Sequence, residues 1–232
     1  MTHARASHLR LVVNEPVAPA VRQPRLRFRP VVRLADGQAF GMHAEVDISF
    51  EDTFRPRHLS DAAHPSAAGW LGDLIERAGR LAQEAGAPHR PLSIAAPMAA
   101  LADKDAPMAA EAGAARAGIL PQEIRVDFCD ASVCALEDLA LDRVDAFRRK
   151  GFRVGLDARK SWRTAMGARA RMTFEAVRVD PSRFEILDVP MSRLEVASAD
   201  GIALIAENVR WRDTDALAEL GVGFAMSPRA DG

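Results

Sequence analysis

Eight short β-rich runs, with helical candidates between most of them, leave this chain few folds to choose from. The runs fall at 26–33, 39–46, 92–96, 124–129, 152–157, 176–180, 202–207 and 222–226. The clearest helical segment is 135–150, where Leu136, Ala140, Val144 and Phe147 form an apolar stripe at helical spacing. Basic residues crowd its last turn, where they suit the helix dipole, and Gly151 follows as a stop. Further helices are predicted over 66–86, 107–117 and 212–220, with loops at 87–91 and 103–107. Strands joined through helices pair in parallel, so the pattern predicts an α/β chain closed into a (β/α)8 TIM-like barrel. An open doubly wound sheet is the alternative, but no G-x-G-x-x-G follows the first run to favour it. With 232 residues and 48% hydrophobic content, the chain has material for one sizeable core.

The alternation within the runs sorts their residues into two faces. Ile124, Val126 and Phe128 share one parity and Asp127 takes the other. Phe152, Val154 and Leu156 stand against Asp157, Val177 and Val179 against Arg178, and Ile202, Leu204 and Ala206 against Glu207. In a barrel one strand face meets the helices and the other faces the lumen. The apolar parity is therefore expected in the core, and Asp127, Asp157, Arg178 and Glu207 as a ring in the lumen. That ring lies near the C-terminal strand ends, where barrel enzymes hold their chemistry.

The net charge of −1 gives no basic excess that would point to a nucleic-acid polymer and no acidic excess that would point to disorder. No apolar run approaches the ~20 residues that span a bilayer. Cys129 and Cys134 fit no metal spacing and no secreted disulfide scaffold, so free thiols in a cytoplasmic protein are expected. Residues 1–24, with Pro16, Pro19 and Pro24 among Ala, Val and Arg, read as a flexible basic arm, and 25–232 as one barrel domain.

In order along the chain, the runs resemble the EAL domain family, bacterial phosphodiesterases that hydrolyse cyclic di-GMP in a barrel carrying two metal ions. "RFRPVVRLADGQAFGMHAEV" is similar to the family's opening strand, turn and G-x-E-A-L. "PLSIAAP" is similar to P-L-S-V-N-L-S, and "IRVDFCDAS" to the segment ending in E-I-T-E-S. "GFRVGLDARKSW" resembles A-L-D-D-F-G-T-G, "AVRVDPSRF" resembles L-K-I-D-x-S-F, and "IAENVR" resembles A-E-G-V-E. The likeness covers about residues 26–228.

The departures lie at the positions to which the resemblance gives metal binding and catalysis. His43 stands at the Glu of E-A-L, Ala95 at the Asn ligand, Asp127 at the first Glu of E-I-T-E, and Ala158 at the second Asp of D-D. Arg178 replaces the catalytic Lys, and Arg210 replaces the second Glu of A-E-G-V-E, whereas Asp157 and Glu207 are kept. Two-metal hydrolysis needs hard oxygen ligands around both ions, and alanine supplies none. The resemblance thus implies a degenerate, catalytically inactive EAL-like protein with no cofactor and no metal. Asp157 reads as a leftover of a dismantled site, with little left to hold. His43, Asp127, Asp157, Arg178 and Glu207 remain as a vestigial ligand pocket. Arg29 and Asp47 stand where family members contact the nucleotide, which implies weak or absent cyclic di-GMP binding.

A function in bacterial cyclic di-GMP-related signalling is then expected through protein contacts, with the protein partner unknown. The candidate surface is residues 158–172, in which Arg159, Lys160, Trp162 and Arg163 lead a run without an acid. Trp and Arg are frequent interface anchors, and a homodimer or a partner is expected to dock there. The alternatives are a receptor that binds cyclic di-GMP without hydrolysing it, and a phosphodiesterase with altered metal ligands around His43, Asp127 and Asp157.

Overall fold

The computed structural model describes residues 25–47, 66–86, 90–136, 138–183, 191–209 and 213–226. The arm over 1–24 and Arg210 lie outside them. Eight strands close into one barrel in chain order, β1 (Leu26–Arg33), β2 (Ala39–Val46), β3 (Leu92–Ala96), β4 (Ile124–Cys129), β5 (Arg153–Asp157), β6 (Ala176–Val179), β7 (Ala203–Ala206) and β8 (Phe224–Met226). The predicted runs match these strands to within two residues at each end. Neighbours from β2 to β8 pair in parallel, with registers such as Asp127 opposite Gly155 and Asp157 opposite Arg178.

The expectation of an all-parallel sheet fails at β1, which runs antiparallel to both β2 and β8. The cause is the length of the first connection. Only Leu34–Gln38 separate β1 from β2, and they fold as a turn in which Arg33 N donates to Gln38 O and Gly37 adopts φ +68°. A parallel crossover needs a dozen residues or more. As a result β1 starts at the C-terminal mouth of the barrel, with Leu26 opposite Val46.

The helices pack outside the sheet. In α1 (Ala67–Glu84), Ser66 caps the first turn by accepting from Gly69 N, and Trp70, Leu71, Leu74, Ile75, Ala78 and Ala82 face the core. Short α2 (Met98–Ala102) precedes α3 (Ala106–Ala117), which ends at Gly118 with φ +70°. The single helix expected over 135–150 is instead two, α4 (Asp130–Leu136) and α5 (Asp138–Arg149). Asp138 in the first turn of α5 suits a separate helix start. Ala140, Val144 and Phe147 are buried as their spacing predicts, and Gly151 ends the segment with φ +90°. Beyond these come α6 (Ala168–Thr173), α7 (Met191–Ala199) and α8 (Thr214–Glu219). Among the described residues no helix is long and apolar enough to cross a membrane.

The two strand faces separate as the alternation requires. Phe128, Val154, Leu156, Val179 and Leu204 all lie in the large core shared with the helices. Inside the barrel, Val31, Ala176, Ile205 and Met226 form a second, small apolar cluster. That plug closes the lumen floor and leaves the upper lumen to polar side chains.

Candidate functional site

The upper lumen holds an ion-pair network built from β1, β4, β5 and β6 and from the residue that follows β7. Arg178 on β6, 1% exposed, is its hub. Its Nη2 donates to Glu207 Oε1 at 2.6 Å, and its Nη1 lies 3.5 Å from Asp127 Oδ2 on β4 and 3.9 Å from Asp157 Oδ2 on β5. Glu207 directly follows β7, and its backbone N–H still donates to Val179 O, which holds it at the mouth. Arg29 on β1 reaches the same Glu207 Oε1 at 3.5 Å. Arg125, one lumenal layer below Asp127 on β4, donates through Nε to Asp127 Oδ1 at 2.8 Å. His43 on β2 pairs through Nδ1 with Ser93 Oγ on β3 at 2.7 Å.

Arg159 completes the network from the loop after β5. Its Nε and Nη2 grip Asp157 at 2.8 and 2.6 Å, its backbone N–H donates to Asp157 Oδ1 at 3.2 Å, and its Nη1 crosses to Glu207 Oε2. Asp157 is thus not an acid with little to hold, as the sequence suggested. It anchors a guanidinium that bridges β5 to β7.

The charge states follow from these contacts. Burial pushes the Asp157 carboxyl up, but the Arg159 hydrogen bonds and the charges of Arg178 and Arg159 outweigh it and hold the acid below its usual range. Glu207 is depressed in the same way, burial being overcome by Arg178 and Arg159. For Arg159 burial opposes the charge, yet Asp157 and Glu207 make the guanidinium hold its proton more tightly than usual. His43 is driven well below its ordinary value by burial and then by the surrounding arginines, so it is neutral.

The five residues expected as a vestigial pocket, His43, Asp127, Asp157, Arg178 and Glu207, are brought into one lumen. Ser93 and Arg125 belong with them and were not singled out, although each shares lumenal parity with a position that was, Ala95 and Asp127. Gly155 is also part of the site. A Cβ there would lie 2.3 Å from Asp127 Oδ1, so only glycine leaves room for that carboxylate opposite it in register.

The loop expected as an interface divides. Trp162 is 4% exposed and packs into the main core, so it is not an outward anchor. Arg159 is turned into the lumen, and Lys160 and Arg163 remain exposed. What orders the loop is Asp130 at the start of α4, fully buried. It accepts from Ser161 Oγ at 2.7 Å, Arg163 N at 2.8 Å and Thr164 N at 2.8 Å. Cys129 and Cys134 are both free.

The donor set does not fit a divalent metal ion. The carboxylates of Asp127, Asp157 and Glu207 are each bound by guanidinium groups, and Arg29, Arg125, Arg159 and Arg178 place four fixed positive charges around them. Among the described residues no group of three or more His, Cys, Asp or Glu converges as a metal site.

No family model matches the chain, and no curated protein matches it. Solved structures do. A c-di-GMP complex of the PaMucR phosphodiesterase superposes with a TM-score of 0.67 at 13% identity, covering 88% of this chain and 89% of that one. The EAL domain of Mycobacterium smegmatis DcpA gives 0.66 at 17% identity over 88% and 90%. A calcium and cyclic di-GMP complex of Klebsiella pneumoniae BlrP1 gives 0.67 at 17% identity, with 89% of this chain covering 54% of BlrP1, about half its length. The chain therefore has the fold of EAL domains.

Proposed function

We propose that this chain is a non-catalytic EAL-like regulator in bacterial cyclic di-GMP-related signalling, acting through protein contacts. The observation that carries the reading is the occupation of the lumenal acids. Each carboxylate that a metal ion would need is bound by arginine, with Arg178 as the hub and Arg159 across the mouth. Guanidinium groups neutralise these acids permanently, because arginine does not lose its proton in proteins. Acids so occupied are not open as oxygen donors to the metal ions that phosphodiester hydrolysis in this fold requires. The EAL-domain structures that share this fold include complexes with cyclic di-GMP, and this supports placing the chain in that signalling context. Weak or absent nucleotide binding is part of the proposal, since Arg29 and Asp47 stand where the family contacts the nucleotide and the guanidinium groups of Arg159 and Arg178 are already engaged by Asp157 and Glu207. The outward cations Lys160 and Arg163, on a loop fixed by Asp130, are the proposed contact for an acidic partner surface.

The test has two arms. Full chain with Mn²⁺ or Mg²⁺ should leave cyclic di-GMP intact; linear dinucleotide above a no-protein control, lost in Asp157→Ala, overturns the non-catalytic reading. Tagged chain should retain a partner from host extract that Lys160→Glu with Arg163→Glu loses. Saturable cyclic di-GMP binding with no such partner replaces this reading with a receptor.

A further inference from the structure

The opposite end of the barrel carries a cavity that the lumenal network does not fill. It has a volume of about 490 Å³ and lies at the N-terminal strand ends, where β2, β4, β5, β6, β7 and β8 begin. This size falls within the range of small-molecule sites. Its apolar wall is formed by Phe40 and Phe224, half-buried rings whose centroids lie 4.1 Å apart. Its polar wall is formed by Arg125, Arg153 and Glu175, with Arg125 and Arg153 opposite each other in the β4–β5 register.

The two arginines are unequally served. Arg153 donates through Nε to both oxygens of Glu175 at 2.9 and 3.0 Å. Arg125 is 2% exposed, and its Nη2 is buried with no hydrogen-bond partner among the described residues. A buried donor left unmade is costly, the more so on a charged group. Among the described residues Arg125 pairs with Asp127, which it shares with Arg178.

From this placement we infer that the N-terminal cavity is a binding site for a small monocarboxylate with a flat apolar body. Its carboxylate meets Arg125 Nη2 beside Arg153, and its body lies along Phe40 and Phe224. The charge-assisted contact fixes orientation, and the rings supply the apolar contact.

Benzoate is the probe, titrated into the full chain and followed by ligand-observed NMR and by the thermal midpoint. Saturable binding is expected with a dissociation constant on the order of 1 mM. Arg125→Met should weaken it by about tenfold or more, the usual weight of a charge-assisted hydrogen bond. Because Arg125→Met removes a partner of Asp127 and can compromise folding, Ala203→Phe is the second variant. It fills the cavity from β7 and leaves both arginines in place, so it should abolish binding with an unchanged circular dichroism spectrum. Benzyl alcohol should bind more weakly than benzoate, and inorganic phosphate should not compete. The proposal fails if benzoate shows no saturable binding to the wild-type chain. It also fails if Ala203→Phe binds as well as wild type, if benzyl alcohol binds equally, or if phosphate displaces the probe.

Discussion

Arg178 is the residue on which the lumen most depends. It lies within ion-pair distance of Asp127 on β4, Asp157 on β5 and Glu207 just after β7, and its Nη2 sits 3.8 Å from Met226 Sδ, where the polar network meets the apolar floor. A buried ion pair adds little net stability over a well-packed apolar pair, but removing one partner alone is expensive because the other charge stays buried. Arg178→Met should therefore lower unfolding free energy by about 3 kcal/mol in denaturant titrations. The double variant Arg178→Met with Glu207→Gln should differ in cost from the sum of the two single changes, because the pair shares a buried 2.6 Å hydrogen bond. If Arg178→Met costs nothing, the network carries no structural weight. This residue also shows how far sequence reaches. Its parity with Ala176 and its place near a strand end mark it as lumenal, and the EAL resemblance marks it as replacing a lysine. Neither says that its partners are Asp127 and Glu207, because those contacts join residues 51 and 29 positions away. The same holds for Arg159. Its neighbours in sequence make it look like part of an outward basic run, whereas two acids draw it inward.

At the scale of elements, periodicity reveals strands better than it reveals their direction. A period of two is the same read either way along a strand, so the reversed β1 was hidden in the alternation and visible only in the five-residue link before β2. Short helices were hidden for a different reason. Helices α2, α6 and α7 have too few turns for an apolar stripe to repeat, and each buries only two residues, Ala100 and Leu101, Ala170 and Thr173, and Leu194 and Ala197. Where α1 crosses α3 the determinant is the absence of side chains. A Cβ at Gly113 would lie 2.1 Å from Gly72 O, and one at Gly72 would lie 2.6 Å from Ala109 O, so the two backbones nearly touch. Gly113→Ala gains helix propensity but forces these helices apart, and overpacking of this kind typically costs about 1–3 kcal/mol. Thermal melts should show a lowered midpoint. Gly167→Ala, with nothing within 4 Å of the added carbon, should be nearly neutral, and equal effects at the two sites would rule out close helix packing as the cause.

The whole barrel is closed by polar as well as apolar contacts, and this makes its stability depend on pH. Glu207 links β7 to β6, to β1 and to the loop after β5, while His43 links β2 to β3. His43 is held neutral in the fold, below its ordinary value, so on acidification the unfolded chain takes up a proton that the folded chain refuses. Stability is then fully present above the unfolded value of about 6.5 and falls as pH drops below it. Asp157 and Glu207 are also depressed, which gives the same sign in a lower window. Their contribution is complete above the ordinary carboxylate range, about pH 4, and is lost as pH falls toward their folded values. The thermal midpoint of the wild-type chain should decline in two stages, one beginning just below neutrality and one below about pH 4. His43→Gln should flatten the first stage and leave the second. Asp157→Asn with Glu207→Gln should flatten the second, at the cost of a lower midpoint at neutral pH, where their partners Arg178 and Arg159 lose their counter-charges. A His43→Gln profile that matches wild type between pH 7 and about pH 5 would mean that the imidazole is solvated in the native barrel and not sealed beside Ser93.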